Sequence, residues 1–335
     1  MDSIRKKRTA LRRADVRKVT IDSEQVGQRI DNFLRRELPG VPRSRLYRIL
    51  RKGEVRVNGG RVRPGYRLKE GDQVRIPPAK INTGPCKAPR RQVELILDRI
   101  IFEDNFLIVI NKPSGLAVHG GSGVSHGAIE LLRAARPKLR DLSLVHRIDR
   151  GTSGCLVIAK KRSALRKLQE KFRLGVVEKN YLALVVGDWQ FGERLVDAPL
   201  LVDHRRKGER HVVISDAGKS AKTLMSLSRS FGRYSLLQCR ALTGRTHQIR
   251  VHAKYTGHPI VGDERYGGIS DNAVAFKIGL KRLFLHAQSI SFPEDSGNDL
   301  HFVAPLSDDL QQFLDRVSSG SKTKKSEKDK MSSAD

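Results

Sequence analysis

Cysteine is scarce in this chain: Cys86, Cys155 and Cys239 are three, odd in number and far apart. Such thiols give neither a disulfide framework nor a Cys-x-x-Cys metal or redox pair. No apolar run approaches the roughly 20 residues that a helix needs to cross a bilayer, so no membrane partner is expected. Residues Met1–Lys18 carry eight Lys/Arg but no apolar stretch, so no secretory signal is expected. An Arg-rich organelle-targeting segment stays open, with Asp2 and Asp15 counting against it. Acidic side chains are also in short supply. There are 36 Asp+Glu against 65 Lys+Arg, a formal net charge of +29. An excess of that size says little about fold. It points instead to a polyanionic partner, either nucleic acid or an anionic surface.

Several chemistries are missing as well. The ten histidines include no His-Glu-x-x-His, and no cysteine stands near a histidine at ligand spacing, so no metal is expected. Ser215–Ser220 ends like a phosphate-binding loop, but Val213 occupies the place of its first glycine. The glycine-rich stretch from His119 fails the dinucleotide pattern because His126 stands where its last glycine belongs. There is no Gly-x-Ser-x-Gly elbow. The expected cofactor is therefore none. What remains is an Asp in cationic surroundings, suited to act as a nucleophile or base.

The organisation reads as a basic disordered tail (1–20), a small unit (21–80), a Pro- and Gly-containing linker (81–96), a larger unit (97–317) and a Ser/Lys-rich disordered tail (318–335). In the small unit, Ile30, Phe33, Leu34 and Leu38 fall on one helical face that stops at Pro39-Gly40. A second helix follows, with Ser44 as its expected cap and Leu46, Ile49 and Leu50 inward. Its other side carries Arg43, Arg45, Arg48, Arg51 and Lys52, with no acid between Val41 and Gly53. A solvated surface usually mixes signs, so this face is read as a nucleic-acid contact. Short strands are expected at Glu54–Asn58 and Gln73–Pro77. Three stretches, Gln28–Leu34, Ser44–Asn58 and Lys69–Ile76, together resemble an S4-type RNA-binding domain.

The larger unit centres on His146-Arg147-Ile148-Asp149-Arg150-Gly151-Thr152-Ser153-Gly154, between the apolar runs Leu142–Val145 and Cys155–Ala159. By spacing alone this is strand–turn–strand, with Arg147 and Asp149 a surface ion pair on one face. Helices are expected around Ala128–Ala135, Leu165–Phe172 and Leu310–Val317. A further helix should be capped by Thr246, with Ile249 and Ala253 inward. Strands are expected at Leu107–Ile110, Tyr181–Val186, His211–Ile214, Ser235–Cys239, Leu283–His286 and Ser289–Phe292.

His146–Gly154 resembles the signature of the RluA-type pseudouridine synthases. Asn111–Gly115 with Val118-His119, Lys179–Ala183, Thr243–His252 and Gly257–Asp263 are similar to the same family in the same order. The resemblance implies an α+β chain: the S4-type module, then a catalytic domain with a mixed, largely antiparallel sheet flanked by helices and loops. It implies isomerisation of uridine to pseudouridine in large-subunit (23S-type) ribosomal RNA, free or in a ribosome-assembly intermediate, by a cytoplasmic monomer. It also implies roles. Asp149 is the nucleophile, Tyr181 packs on the base and assists proton removal, and Arg250 pairs with Asp149. Arg147 fills the gap left by the flipped uridine, and His146, Thr152 and Ile249 line the substrate site. Arg250 then replaces Arg147 as the expected partner of Asp149, which leaves Arg147 to face RNA and breaks the strand geometry at the turn. Two rivals make distinct demands. A non-catalytic RNA-binding protein predicts loss of Asp149, Tyr181 or Arg250, and all are present. An RNA methyltransferase needs a glycine-rich cofactor loop, which is not found.

Overall fold

The computed structural model describes residues 16–38, 41, 43–78, 88–120, 124, 126–139, 141–206, 209–294, 297 and 299–319. The chain divides into two compact units, Met1–Lys87 and Ala88–Asp335. Among the described residues, no helix is long and apolar enough to cross a membrane.

The first unit contains β1 (Arg17–Thr20), α1 (Ile30–Glu37), α2 (Arg43–Arg51), β2 (Arg56–Val57), β3 (Gly60–Arg61) and β4 (Gln73–Ile76). Its sheet runs β1-β4-β2-β3, antiparallel throughout. The helices bury the stripe that their spacing predicts: Ile30, Phe33 and Leu34 from α1, with Leu46, Ile49 and Leu50 from α2. Asn58 (φ +49°) and Gly59 (φ +82°) make the left-handed turn from β2 to β3, for which Asn-Gly is the preferred pair. Two buried carboxylates lock the loops. Asp31 accepts from Arg29 and from the Tyr47 hydroxyl, at 2.8 Å each. Asp72 accepts from Asn58, Tyr66 and the Lys69 amide.

Three expectations change here. Residues 17–20, expected in the disordered tail, form β1. Their side chains are mostly exposed, so no apolar alternation marks them; the open edge of β4 supplies the order through backbone pairing. The helix α2 begins at Arg43, one residue before the expected Ser44 cap. Pro39-Gly40 lies outside the described residues.

The second unit contains, in order, α3 (Arg90–Leu97), β5 (Ile100–Glu103), β6 (Leu107–Lys112), α4 (Ala128–Ala135), β7 (Ser143–Leu144), β8 (Ser153–Ala159), α5 (Arg162–Leu174), β9 (Glu178–Val186), β10 (Arg194–Asp197), β11 (Leu200–Arg206), β12 (Glu209–Ile214), β13 (Lys222–Ser230), β14 (Tyr234–Ala241), α6 (Gln248–Tyr255), α7 (Ile269–Ile278), β15 (Leu285–Phe292) and β16 (Leu300–Val303). A last helix, α8, covers 308–319. The main sheet runs β10-β13-β14-β9-β15-β8-β6-β5, with β16 beside β15 and β7 beside β8. Only β8 and β15 pair in parallel among the described strands, so the sheet is mixed and largely antiparallel. Successive side chains of a strand face opposite ways. Ile108, Ile110, Leu156 and Ile158 pack towards α4, while Leu107, Val109, Cys155 and Val157 pack towards α5. That double burial is why β6 and β8 read as unbroken apolar runs.

The helix α3 takes up the last part of the expected linker and runs one residue past it. It buries only Ile96, too little periodicity to stand out against Arg90, Arg91 and Gln92. The two strands expected over Leu283–Phe292 are one strand, β15, interrupted by a register shift between Ala287 and Ser289. Residues 318 and 319, expected in the C-terminal tail, belong to α8, where the Ser318 hydroxyl donates to the Leu314 carbonyl; the rest of that stretch lies outside the described residues.

Candidate active site

The stretch 146–149 has no strand pairing and leads into a turn in which the Thr152 amide donates to the Asp149 carbonyl oxygen at 3.1 Å. The turn is clamped from the neighbouring segment 112–115. The Lys112 ammonium, fully buried, donates to the carbonyls of Pro113 and Leu116 at 2.8 Å and of Arg150 at 3.3 Å. The Gly115 amide donates to Arg150, and the Ser114 hydroxyl to Gly151. Burial pushes Lys112 down to about 7, with the Arg282 charge adding to the effect.

After the turn, Gly154 joins β8 to β15 at φ +111°, where a Cβ would lie 2.1 Å from the Ala287 carbonyl oxygen. Only glycine allows that approach. Gly154 is in register with Ala287 of β15, and Ala287 with Tyr181 of β9. Strands stand about 4.8 Å apart, so this row sets Tyr181 two strands from the end of the motif. Asp149 then needs only the preceding loop to come near it. Burial, and after it the Asp149 charge, raise the Tyr181 hydroxyl well above the ordinary phenol range.

The third wall comes from α6 and the loop before it. Gln248 is buried, and its side-chain oxygen accepts from the Thr243 hydroxyl and the Arg245 amide while its nitrogen donates to Lys222 and Thr223. The residue that caps α6 is His247, at φ +54°, and not Thr246 as expected. The glutamine organises the loop from inside the helix, so no hydroxyl at 246 is needed.

One cavity of about 620 Å³ opens between these walls. All seven catalytic and substrate-site residues singled out from the sequence line it: His146, Arg147, Asp149, Thr152, Tyr181, Ile249 and Arg250. Arg147 is exposed, Asp149 half-buried and Thr152 buried. His146 accepts the Val157 amide on Nε2 at 3.1 Å and stacks on Phe172; burial, with the Lys179 charge, lowers it to about 4. It is therefore a neutral wall residue.

The expected Asp149–Arg250 ion pair is not formed. Arg250 donates through Nε and Nη2 to Asp263, at 2.7 Å each, and lies 4.9 Å over the Tyr266 ring. Asp263 is 1% exposed and also accepts the Arg265 and Tyr266 amides. A buried carboxylate with two planar acceptors outcompetes a half-buried one for a guanidinium fork. Burial opposes the Arg250 charge, yet Asp263 raises its pKa overall, and Asp149 contributes from farther off. Lys112, Tyr181, His247 and Arg250 all feel the Asp149 charge.

Lys112 and Asp263 lie within the motifs Asn111–Gly115 and Gly257–Asp263, and Tyr266 just beyond the second, but nothing in their spacing marks a role for any of the three. Of the RNA-contact candidates, Arg45, Arg48, Arg51 and Lys52 are exposed along and just after α2. Arg43 opens that helix, but its side chain lies outside the described set. Among the described residues, no cluster of three His, Cys, Asp or Glu could hold a metal ion.

A family model described as RNA pseudouridylate synthase matches residues 106–255, and an S4 domain model matches 28–74. The chain is 48% identical over 308 residues to the ribosomal large subunit pseudouridine synthase C of Haemophilus influenzae, covering 91% of this chain and 96% of that one. It is 49% identical over 308 residues to the protein of the same name from Escherichia coli K12, covering 90% and 97%. Among solved structures, human RNA pseudouridylate synthase domain containing 4 matches with a TM-score of 0.58 at 27% identity, over 68% of this chain and 95% of that one.

Proposed function

The chain belongs to the RNA pseudouridylate synthase family, and from that premise we propose that it converts uridine to pseudouridine in large-subunit ribosomal RNA, with Asp149 as nucleophile. The reaction exchanges the N1 glycosidic bond of a uridine for one to C5. The proton lost from C5 is matched by one gained at N1, so the bookkeeping closes within one nucleotide and calls for no redox partner.

The observation that carries the reading is the convergence of Asp149, Tyr181 and Arg250 on one basic cavity. A base inside structured RNA has to leave its stack to reach such a pocket. The exposed Arg147 at the cavity is suited to occupy the gap, since a planar guanidinium stacks on bases. Tyr181, kept protonated by burial, faces the base. Arg250 lines the same cavity as Asp149 but is bound to Asp263. That pairing leaves the Asp149 carboxylate free to attack. His146, Thr152 and Ile249 shape the wall.

The first unit, with its exposed cations on α2, anchors the RNA through phosphate contacts. The chain is read as acting as a monomer. A cytoplasmic site, with free RNA or an assembly intermediate as substrate, fits a charge of +29.

Asp149→Asn tests this directly. Pseudouridine formation in a large-subunit RNA transcript should vanish while RNA affinity is retained. Residual turnover at a rate near wild type would remove the nucleophile assignment.

A further inference from the structure

His247 is one of two non-glycine residues at positive φ among the described residues, and the other, Asn58, serves an Asn-Gly turn. A left-handed histidine is strained, and as a helix cap it makes no side-chain cap hydrogen bond. Local energetics do not account for it. What the conformation achieves is a fixed ring. The His247 Nδ1 lies 2.8 Å from the Tyr266 hydroxyl, and that hydroxyl accepts the Val212 amide at 3.0 Å. Tyr266 is 3% exposed, and its hydroxyl has no other acceptor among the described residues. Its proton therefore goes to Nδ1, which leaves the imidazole proton on Nε2. Tyr266 is itself held by Asp263 at its amide and by Arg250 over its ring. Nε2 has no protein partner among the described residues, and His247 lines the cavity that holds Asp149, whose charge reaches the ring. Burial keeps His247 neutral, lowering it to about 4 against the pull of Asp149; Arg250, Arg265 and Asp263 are the other charges that face it.

We propose that His247 contacts the substrate, presenting its Nε2–H as a neutral donor to a carbonyl oxygen of the target uracil. The inference rests on the pseudouridine synthase reading. The chemistry gives such a donor a particular use. Replacing N1 by C5 at the sugar is a half-turn of the ring about its N3–C6 axis, and that half-turn exchanges the C2 and C4 carbonyls. A donor set against one carbonyl before the turn meets the other after it, so the contact serves substrate and product alike. Cytosine carries an amine at C4, and the same turn would set donor against donor. The fixed tautomer thus ties the site to uracil.

The test uses the full chain and large-subunit RNA transcripts carrying tritium at C5 of uridine, some doped with 2-thiouridine and some with 4-thiouridine, whose sulfur is a poor acceptor. His247→Asn suits the left-handed backbone and can still take the Tyr266 proton, but does not reach the cavity. His247→Gln restores an N–H at the Nε2 position. Under single turnover the asparagine variant should be slower by about tenfold or more, and the glutamine variant within about threefold of wild type. Wild type should convert at least one thio-substituted target more slowly than uridine, and His247→Asn should abolish that preference. Equal discrimination in wild type and His247→Asn, or a glutamine variant as slow as the asparagine one, would overturn the contact. Absence of tritium release by wild type would instead overturn the underlying function.

Discussion

Arg250 and Asp263 form a bidentate pair whose carboxylate has no solvent access. Removing one partner of such a pair strands the other and typically costs about 3–5 kcal/mol. Arg250→Met should therefore lose both activity and stability. Arg250→Met combined with Asp263→Asn should recover much of the stability, read by urea melting, and none of the activity, read by pseudouridine yield. If the double variant regains turnover, Arg250 acts only through the fold. At this scale the sequence displayed the identities well. Asp149, Tyr181 and Arg250 stood out by their motifs, and they do share a cavity. It misassigned the pairing, because sequence spacing carries no information on which of two carboxylates is buried. Asp149 and Asp263 look alike in one dimension; only burial separates them.

Lys112 closes β6 and clamps the turn that carries Asp149. Its folded pKa of about 7 lies below the usual 10.5. Between those values the unfolded chain binds a proton that the native chain does not, so this group makes stability rise with pH from about 7 towards 10.5; below 7 its burial penalty is fully present. Lys112→Met should flatten that rise when urea melts at pH 7 and pH 9 are compared. It should also slow turnover, because the Pro113 and Leu116 carbonyls lose their donor and the turn loosens. An unchanged pH slope would mean that Lys112 is not the buried titrating group. Elements with strong periodicity, such as α1, α4 and α5, were legible in the sequence. The strand β1 and the helix α3 were not, because backbone pairing and a single buried side chain leave almost no pattern. Gly154 belongs to a recognisable motif, yet its purpose depends on Ala287, which lies 133 positions on.

The excess of positive charge belongs to the molecule as a whole, but the exposed face of α2 concentrates it. Replacing Arg45, Arg48, Arg51 and Lys52 by Ser should weaken RNA binding at every salt concentration. At about 0.7 per phosphate contact on single-stranded RNA, the slope of log affinity against log salt should fall by up to roughly 3. Chemistry on a short RNA that does not reach the first unit should be little changed. A salt slope equal to that of wild type would remove the anchoring role.

The sequence alone determined the class of partner, the two-unit organisation and which residues would share the cavity, because net charge, apolar periodicity and motif order are all properties of a linear string. Tertiary structure decided which charges meet. Asp263 captured Arg250, segment 112–115 clamped the Asp149 turn, and Tyr266 fixed the His247 ring. Each depends on burial and hydrogen-bond geometry between segments far apart in the chain, and these exist only once the sheet has brought β8, β15 and β9 side by side.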